Sequence, residues 1–245
     1  MSAVIHSFTD LGPCDYRQVW RLQHALHVYC RATRKNGLIL TQHTPVVTLG
    51  YRRPTTQLRL SVAELTGKGI ALIEVERGGG ATYHGPGQLV AYPIFSSLLR
   101  RQGVRNFVVC LEEVMCRVSQ RCGVVGTRKP GLPGVWVGES KLGSVGIAVR
   151  GGVSLHGCAV NVNGDLQPFS YIIPCGLTDK TVTSLEQERG RPIPLSVVAE
   201  QMRHAFAEVF TATMEEMPNE WSCFERETGT GALDYDQSSR ATQCP

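Results

Sequence analysis

Apolar residues recur at helical spacing over residues 15–35, where Val19, Leu22, Leu26 and Tyr29 share a face, and Asn36-Gly37 supplies a stop signal. Short apolar runs at 38–40 and 46–49 read as strands around Thr44-Pro45. Ser61, followed three residues later by Glu64, fits a capping box and predicts a short helix ending near Gly67. Residues 71–76 read as a strand, 77–87 as a Gly-rich loop and 89–95 as a strongly apolar strand. Asn106 is expected to cap a helix carrying Phe107, Leu111, Val114 and Val118. Strands then follow at 135–137, 142–149 and 153–162, with turns at Glu139-Ser140 and Gly151-Gly152, and 167–174 is expected to add another. An amphipathic helix after Pro194 aligns Val198, Met202, Phe206 and Phe210. Helices flanking a run of antiparallel strands predict an α+β domain on one central sheet.

Composition narrows this picture. The 245 residues suit one large domain, or a domain with an appendage. Residues 218–245 hold few aliphatic side chains and many Glu, Thr, Ser, Gly and Gln. They are expected to form a poorly ordered tail outside a folded domain of residues 1–217. A content of 42% hydrophobic and 19% charged residues excludes wholesale disorder. No stretch approaches the roughly 18 apolar residues of a membrane span. Residues 1–16 show neither a signal peptide nor a transit peptide, so a soluble cytoplasmic protein is expected. The net charge is +4, and no basic block is interleaved with aromatics, which argues against dedicated nucleic-acid binding. The nine Cys include no C-x-x-C pair, and the six-residue spacing of Cys110, Cys116 and Cys122 does not suit zinc. A reduced, metal-free intracellular enzyme is expected, without a disulfide framework.

Four stretches are candidates for chemistry. The first is Arg77-Gly78-Gly79-Gly80-Ala81-Thr82-Tyr83-His84-Gly85-Pro86-Gly87-Gln88, with five Gly in its first eleven positions. Such a loop lets backbone N–H groups approach a ligand, or simply makes a wide turn at a sheet edge. No G-K-S/T closes it and no helix follows it, so it is not a nucleotide phosphate loop. His84 is either an acid–base group or a donor that holds the loop together. The second is Lys141, one of only five Lys, at the start of a strand on a face with Gly143, Val145 and Ile147. It is a solvated strand end or a functional amine. The third, residues 156–163, places His156, Asn161 and Asn163 in an apolar strand, as groups that bind a ligand or satisfy a neighbouring loop. The fourth places Cys175 between Pro174 and Gly176 in a turn, where a thiol is accessible; its rival Cys158 lies among small and apolar strand residues.

In order, R-G-G-x-x-T-x-H-x-P-G-Q at 77–88, K-x-x-S-x-G at 141–146, H-G-x-A-x-N at 156–161 and P-C-G at 174–176 resemble the lipoyl/octanoyl transferase family. The resemblance covers most of residues 1–217. It implies the mixed sheet with flanking helices of biotin and lipoate protein ligase catalytic domains. It also implies transfer of an octanoyl or lipoyl group from acyl carrier protein to a lysine of lipoyl domains. The acceptors are 2-oxoacid dehydrogenase E2 subunits and the glycine-cleavage H protein, and the reaction is the first step of endogenous protein lipoylation. No cofactor is implied beyond the phosphopantetheine that carries the acyl group, and a monomer is expected, with neither membrane nor nucleic acid as partner.

The same resemblance makes Cys175 the nucleophile that holds the acyl group as a thioester. Lys141 becomes the group that lowers the thiol pKa and relays protons. A free thiol with a pKa of about 8.5 is only a few per cent thiolate at neutral pH, so a nearby positive charge matters. Arg77, Gly78, Gly79, Gly80, Ala81, Thr82, Tyr83 and His84 are expected to line the acyl site. Ser144, Val145, Gly146, Gly157, Cys158 and Ala159 join them, their small size leaving room for the chain. Three rivals remain: an ATP-dependent lipoate-protein ligase, an amidotransferase moving octanoate between lipoyl domains, and an inactive binder of lipoyl domains. The ATP requirement, the donor preference and the intact Lys141 and Cys175 separate them.

Overall fold

The computed structural model describes residues 3–51, 57–173 and 181–217 of the chain. Two sheets are present where one was expected. The larger has eight strands: β1 (Ala3–Cys14), β2 (Asn36–His43), β6 (Gln88–Phe95), β7 (Thr127–Lys129), β8 (Leu132–Val137), β9 (Ser140–Arg150), β10 (Val153–Asn161) and β11 (Ala212–Glu216). Their spatial order is β11-β1-β2-β6-β10-β9-β8-β7. The β11, β1 and β2 strands run parallel, and every later pair is antiparallel, so the sheet is mixed. The smaller sheet sets β3 (Val46–Leu49) between β4 (Ala71–Glu74) and β5 (Ala81–His84).

Both faces of the central strands are covered, and this explains the unbroken apolar run at 89–95. Leu38, Leu40, Leu89 and Ala91 face a core made with α3 (Ser97–Gln102), α4 (Val104–Arg121) and α6 (Leu195–Phe210). Their alternates Ile39, Val90, Tyr92 and Ile94 face α1 (Tyr16–Thr33) and the start of the smaller sheet. Phe95 anchors the first core, with the rings of Phe107, Phe206 and Phe210 against it at centroid distances of 5.9, 6.1 and 5.2 Å. A third cluster fills the space under the smaller sheet, with Leu65 from α2 (Val62–Gly67) and Phe169 beside Val47, Leu49 and Tyr83.

The local signals held unevenly. Ser61 and Glu64 form the reciprocal capping box expected of them. Asp15 opens α1 by accepting from the N–H groups of Arg17 and Gln18. That helix ends at Thr33, with Arg34 in the left-handed conformation, so Asn36-Gly37 does not stop it; both residues lie within β2. Asn36 there accepts from the N–H groups of Ser96 and Leu98 and so fixes the entry to α3. The 77–87 stretch is not all loop, because its middle, Ala81–His84, forms β5 opposite β3. Asn106 does not cap α4: the helix begins at Val104 after Gly103, and the Asn106 amide donates to Gln102 instead. The strand expected at 167–174 is a 3-10 helix over Gln167–Tyr171 with Pro168 in its first turn; among the described residues of this span Ile172 alone bridges, to Leu58. The turn before β9 falls at Gly138-Glu139, one residue early.

A short helix, α5 (Leu185–Arg189), precedes α6. Six cysteines are described, and all are free thiols. Among the described residues no helix is long and apolar enough to cross a membrane. The tail expected at 218–245 lies outside the described residues.

Candidate active site

A cleft opens where the β9–β10 hairpin meets the Gly-rich turn. Register sets its walls: Ser144 pairs Ala159, Val145 pairs Cys158, and Gly146 pairs Gly157. On the other side of β10, Ala159 pairs Val90 and Cys158 pairs Ala91. Gly157 has to be glycine, because a Cβ there would stand 2.0 Å from the Ala91 carbonyl oxygen. The Gly-rich turn is held over the hairpin by the Gly78 N–H, which donates to the Ile147 carbonyl at 2.9 Å. Arg77 clamps that turn from within. Its buried guanidinium donates to the Thr48 carbonyl and hydroxyl, both at 2.7 Å, and to the Gly78 carbonyl at 3.1 Å.

Of the expected substrate-binding residues, Arg77, Gly78, Gly79, Ala81, Thr82 and His84 line the cleft from the loop side. Ser144, Val145, Gly146, Gly157, Cys158 and Ala159 line it from the hairpin. Gly80 and Tyr83 do not. Gly80 packs against Gln57, and the Tyr83 ring meets Phe169 edge-on at 5.5 Å in the cluster under the smaller sheet. Thr82 and His84, two apart on the strand, both line the cleft, and the large Tyr83 side chain between them points to the other side. Tyr16 and Tyr92 also line the cleft, although neither carried a signal in the sequence.

Lys141 lines the same cleft and is only 9% exposed, so it is not a solvated strand end. Its ammonium sits 5.2 Å from the centre of the Trp136 ring, its register partner across β8 and β9. The side chain passes over Gly134, whose φ is +124°. A Cβ there would stand 2.7 Å from Lys141 Cε and 2.4 Å from the Gly143 carbonyl oxygen. The buried Glu112 carboxylate of α4 holds this crossing by accepting from the Gly134 N–H at 2.8 Å.

The Lys141 backbone is tied in as well. Its N–H donates to the Thr181 carbonyl at 2.9 Å, and its carbonyl accepts from the Thr183 N–H at 3.0 Å. The Asn161 amide donates to the Thr183 carbonyl at 2.9 Å. The Gln88 amide donates to Asn161 Oδ1 at 2.9 Å, and Gln88 Oε1 accepts from His84 Nδ1 at 2.6 Å. His84, Gln88 and Asn161, from the first and third motifs, thus form one buried chain ending at the backbone of Lys141. Asn163 satisfies a different neighbour, the backbone of Ile193. Cys175, with Pro174 and Gly176, lies outside the described residues.

A family model described as the lipoyl protein ligase A/B catalytic domain matches residues 15–207. The chain belongs to that family. It is 40% identical over 203 residues to an octanoyltransferase of Alkaliphilus metalliredigens, covering 82% of this chain and 93% of the relative. It is 44% identical over 209 residues to an octanoyltransferase of Desulfotalea psychrophila, covering 82% and 92%. The fold is that of the bipartite lipoate protein ligase of Thermoplasma acidophilum, at a TM-score of 0.73 and 19% identity over 93% of this chain and 91% of that one.

In this member of the ligase A/B family the wall around Tyr16 is polar but carries little charge. Burial pushes the His43 pKa down to about 4. Burial, and then the neighbouring His43, push His84 down to about 3. Burial lowers His156 as well and raises Tyr16 and Tyr92. Internal hydrogen bonds make this tolerable: Tyr92 donates to His43 Nε2 at 2.7 Å, while Tyr16 lies 3.4 Å from His156 Nδ1. His156 keeps a left-handed φ of +58° within β10, where Gln23 Oε1 accepts from its N–H at 3.0 Å. Behind it, burial opposes the charge on Glu76, but contacts from His156 and His24 outweigh burial and hold its carboxyl below the usual range. Burial also pushes the Cys158 thiol up to about 12, so Cys158 keeps its proton at neutral pH. Among the described residues no group of His, Cys, Asp and Glu is arranged to hold a metal ion.

Two predictions follow from these contacts. Glu112→Ala leaves the Gly134 N–H without its partner and costs about 1–3 kcal/mol in urea unfolding, whereas Glu112→Gln, which keeps an acceptor, costs far less; equal losses contradict the contact. The second concerns pH. The fold keeps His43 and His84 neutral, while the unfolded chain protonates both below about pH 6.5, so stability is complete above that value. It falls as the pH drops from about 6.5 towards 4, by about 1.4 kcal/mol per pH unit for each His. Thermal melts at pH 7, 6 and 5 should show the fall, and unchanged stability down to pH 5 contradicts it.

Proposed function

We propose that this chain transfers an octanoyl or lipoyl group from the phosphopantetheine thioester of acyl carrier protein to one lysine of a lipoyl domain. The acceptors under this reading are the lipoyl domains of 2-oxoacid dehydrogenases and the glycine-cleavage H protein. The observation that carries it is a cleft of small and apolar residues with a buried amine, Lys141, at one end, in a chain 40–44% identical to octanoyltransferases. Cys175 and Lys141 perform the chemistry.

The Cys175 thiolate attacks the carbonyl carbon of the incoming thioester. The bond from that carbon to the pantetheine sulfur breaks, and the departing thiolate takes a proton from the Lys141 ammonium. The acyl group now rests on Cys175, and Lys141 is neutral. An acceptor lysine with a pKa of about 10.4 is neutral in only about one molecule in 10³ at pH 7. Lys141 removes its proton, the free amine attacks the acyl carbonyl, and an amide forms. Cys175 leaves as thiolate, and the second amine proton goes to water. A thioester is already activated, so amide formation from it runs downhill without ATP, and no further cofactor is needed. This separates the reading from an ATP-dependent ligase on the same fold.

The test is intact-protein mass spectrometry after mixing with octanoyl-acyl carrier protein in the absence of ATP. The reading expects a gain of one octanoyl group, absent in Cys175→Ser, and no product transfer by Lys141→Ala. Labelling that waits for ATP and free octanoate contradicts it and favours the ligase.

A further inference from the structure

The pairing of β9 with β10 and of β10 with β6 orders the cleft residues along its length. Lys141 lies beyond the rung at which Gly143 meets Val160, and the rungs of Ser144, Val145 and Gly146 follow in turn. His156 comes next, opposite Ile147. The far end is closed: Tyr16 is 2% and His156 1% exposed, and the fully buried Gln23 stands behind them.

Tyr16 is fixed there from several sides. It is the first residue of α1, whose start the Asp15 cap pins. Its ring lies 6.0 Å from that of His84, nearly parallel at 17°, and 4.9 Å from that of His43. Its hydroxyl faces His156 Nδ1.

Five residues of strand, roughly 17 Å, separate the Cα atoms of Lys141 and Gly146. An extended eight-carbon acyl chain, about 9 Å long, fits within that length.

We propose that the Tyr16 ring is the stop that sets acyl chain length in this cleft. The proposal deepens the acyl-transfer reading and rests on it. The stop is the ring rather than the hydroxyl: it is rigid because the rings packed against it, His43 and His84, are themselves hydrogen-bonded to Tyr92 and Gln88. Each methylene that enters apolar surroundings adds a similar increment of binding, so length is limited by where the space ends rather than by a graded preference.

The test uses the full chain and measures single-turnover transfer to a lipoyl domain from hexanoyl-, octanoyl-, decanoyl- and dodecanoyl-acyl carrier protein. Tyr16→Leu opens the end wall and raises the decanoyl-to-octanoyl rate ratio about tenfold, the value of two buried methylenes. Tyr16→Trp lengthens the wall and moves the optimum to hexanoyl, and Tyr16→Phe keeps the octanoyl optimum. Opposite shifts from one position, with circular dichroism reporting intact secondary structure, are the expected result. An octanoyl optimum retained by both Tyr16→Leu and Tyr16→Trp overturns the proposal while leaving the acyl-transfer reading intact. A wild-type protein that transfers none of the four chains overturns that reading itself.

Discussion

The hydrogen-bond chain that runs from His84 through Gln88 and Asn161 to the Thr183 carbonyl is the constraint on which the site depends. It joins the Gly-rich turn, the start of β6, the end of β10 and the chain segment that pairs with Lys141. Each link is buried, so a missing partner would leave a donor or acceptor without water to replace it. The cleft therefore holds its shape as a unit. The turn cannot lift without releasing Gln88, and the segment at 181–183 cannot shift without releasing Asn161.

On that frame charge is strongly localised. The imidazoles around Tyr16 are pushed towards neutrality by burial, and the Arg77 guanidinium is turned to Thr48 and Gly78. Lys141 stands at the opposite end, over the Trp136 face, with Gly134 leaving it room and Glu112 fixing Gly134. An inner end of neutral imidazole and phenol rings suits an aliphatic chain, and the Lys141 amine at the other end suits the thiol that the proposed mechanism has to ionise. The same burial that keeps His43 and His84 neutral makes the fold sensitive to acid.

Much of this was legible in the sequence where period and motif agreed. Helices α1 and α6, strand β6 and the β9–β10 hairpin follow from apolar spacing, and twelve of the fourteen expected binding residues do line one cleft. The failures have physical reasons. The density of Gly at 77–87 hid a four-residue strand, which in turn carries Tyr83 away from the cleft. The β1 and β11 strands are paired at the edge of the sheet by contacts some 210 residues apart, and no local pattern records that pairing. No local pattern singles out Tyr16, Tyr92 or Glu112. Only the tertiary fold brings Tyr16 to His156, 140 residues away, and Gln88 to Asn161, 73 residues away.

The central claim is that Lys141 supplies the positive charge that ionises Cys175. The most direct measurement is the rate of Cys175 alkylation by iodoacetamide against pH, followed by peptide mass spectrometry, in the wild-type chain and in Lys141→Met. The account predicts a wild-type midpoint below the ordinary thiol value of about 8.5 and a midpoint at least one unit higher in the variant. Identical midpoints in the two proteins would contradict it.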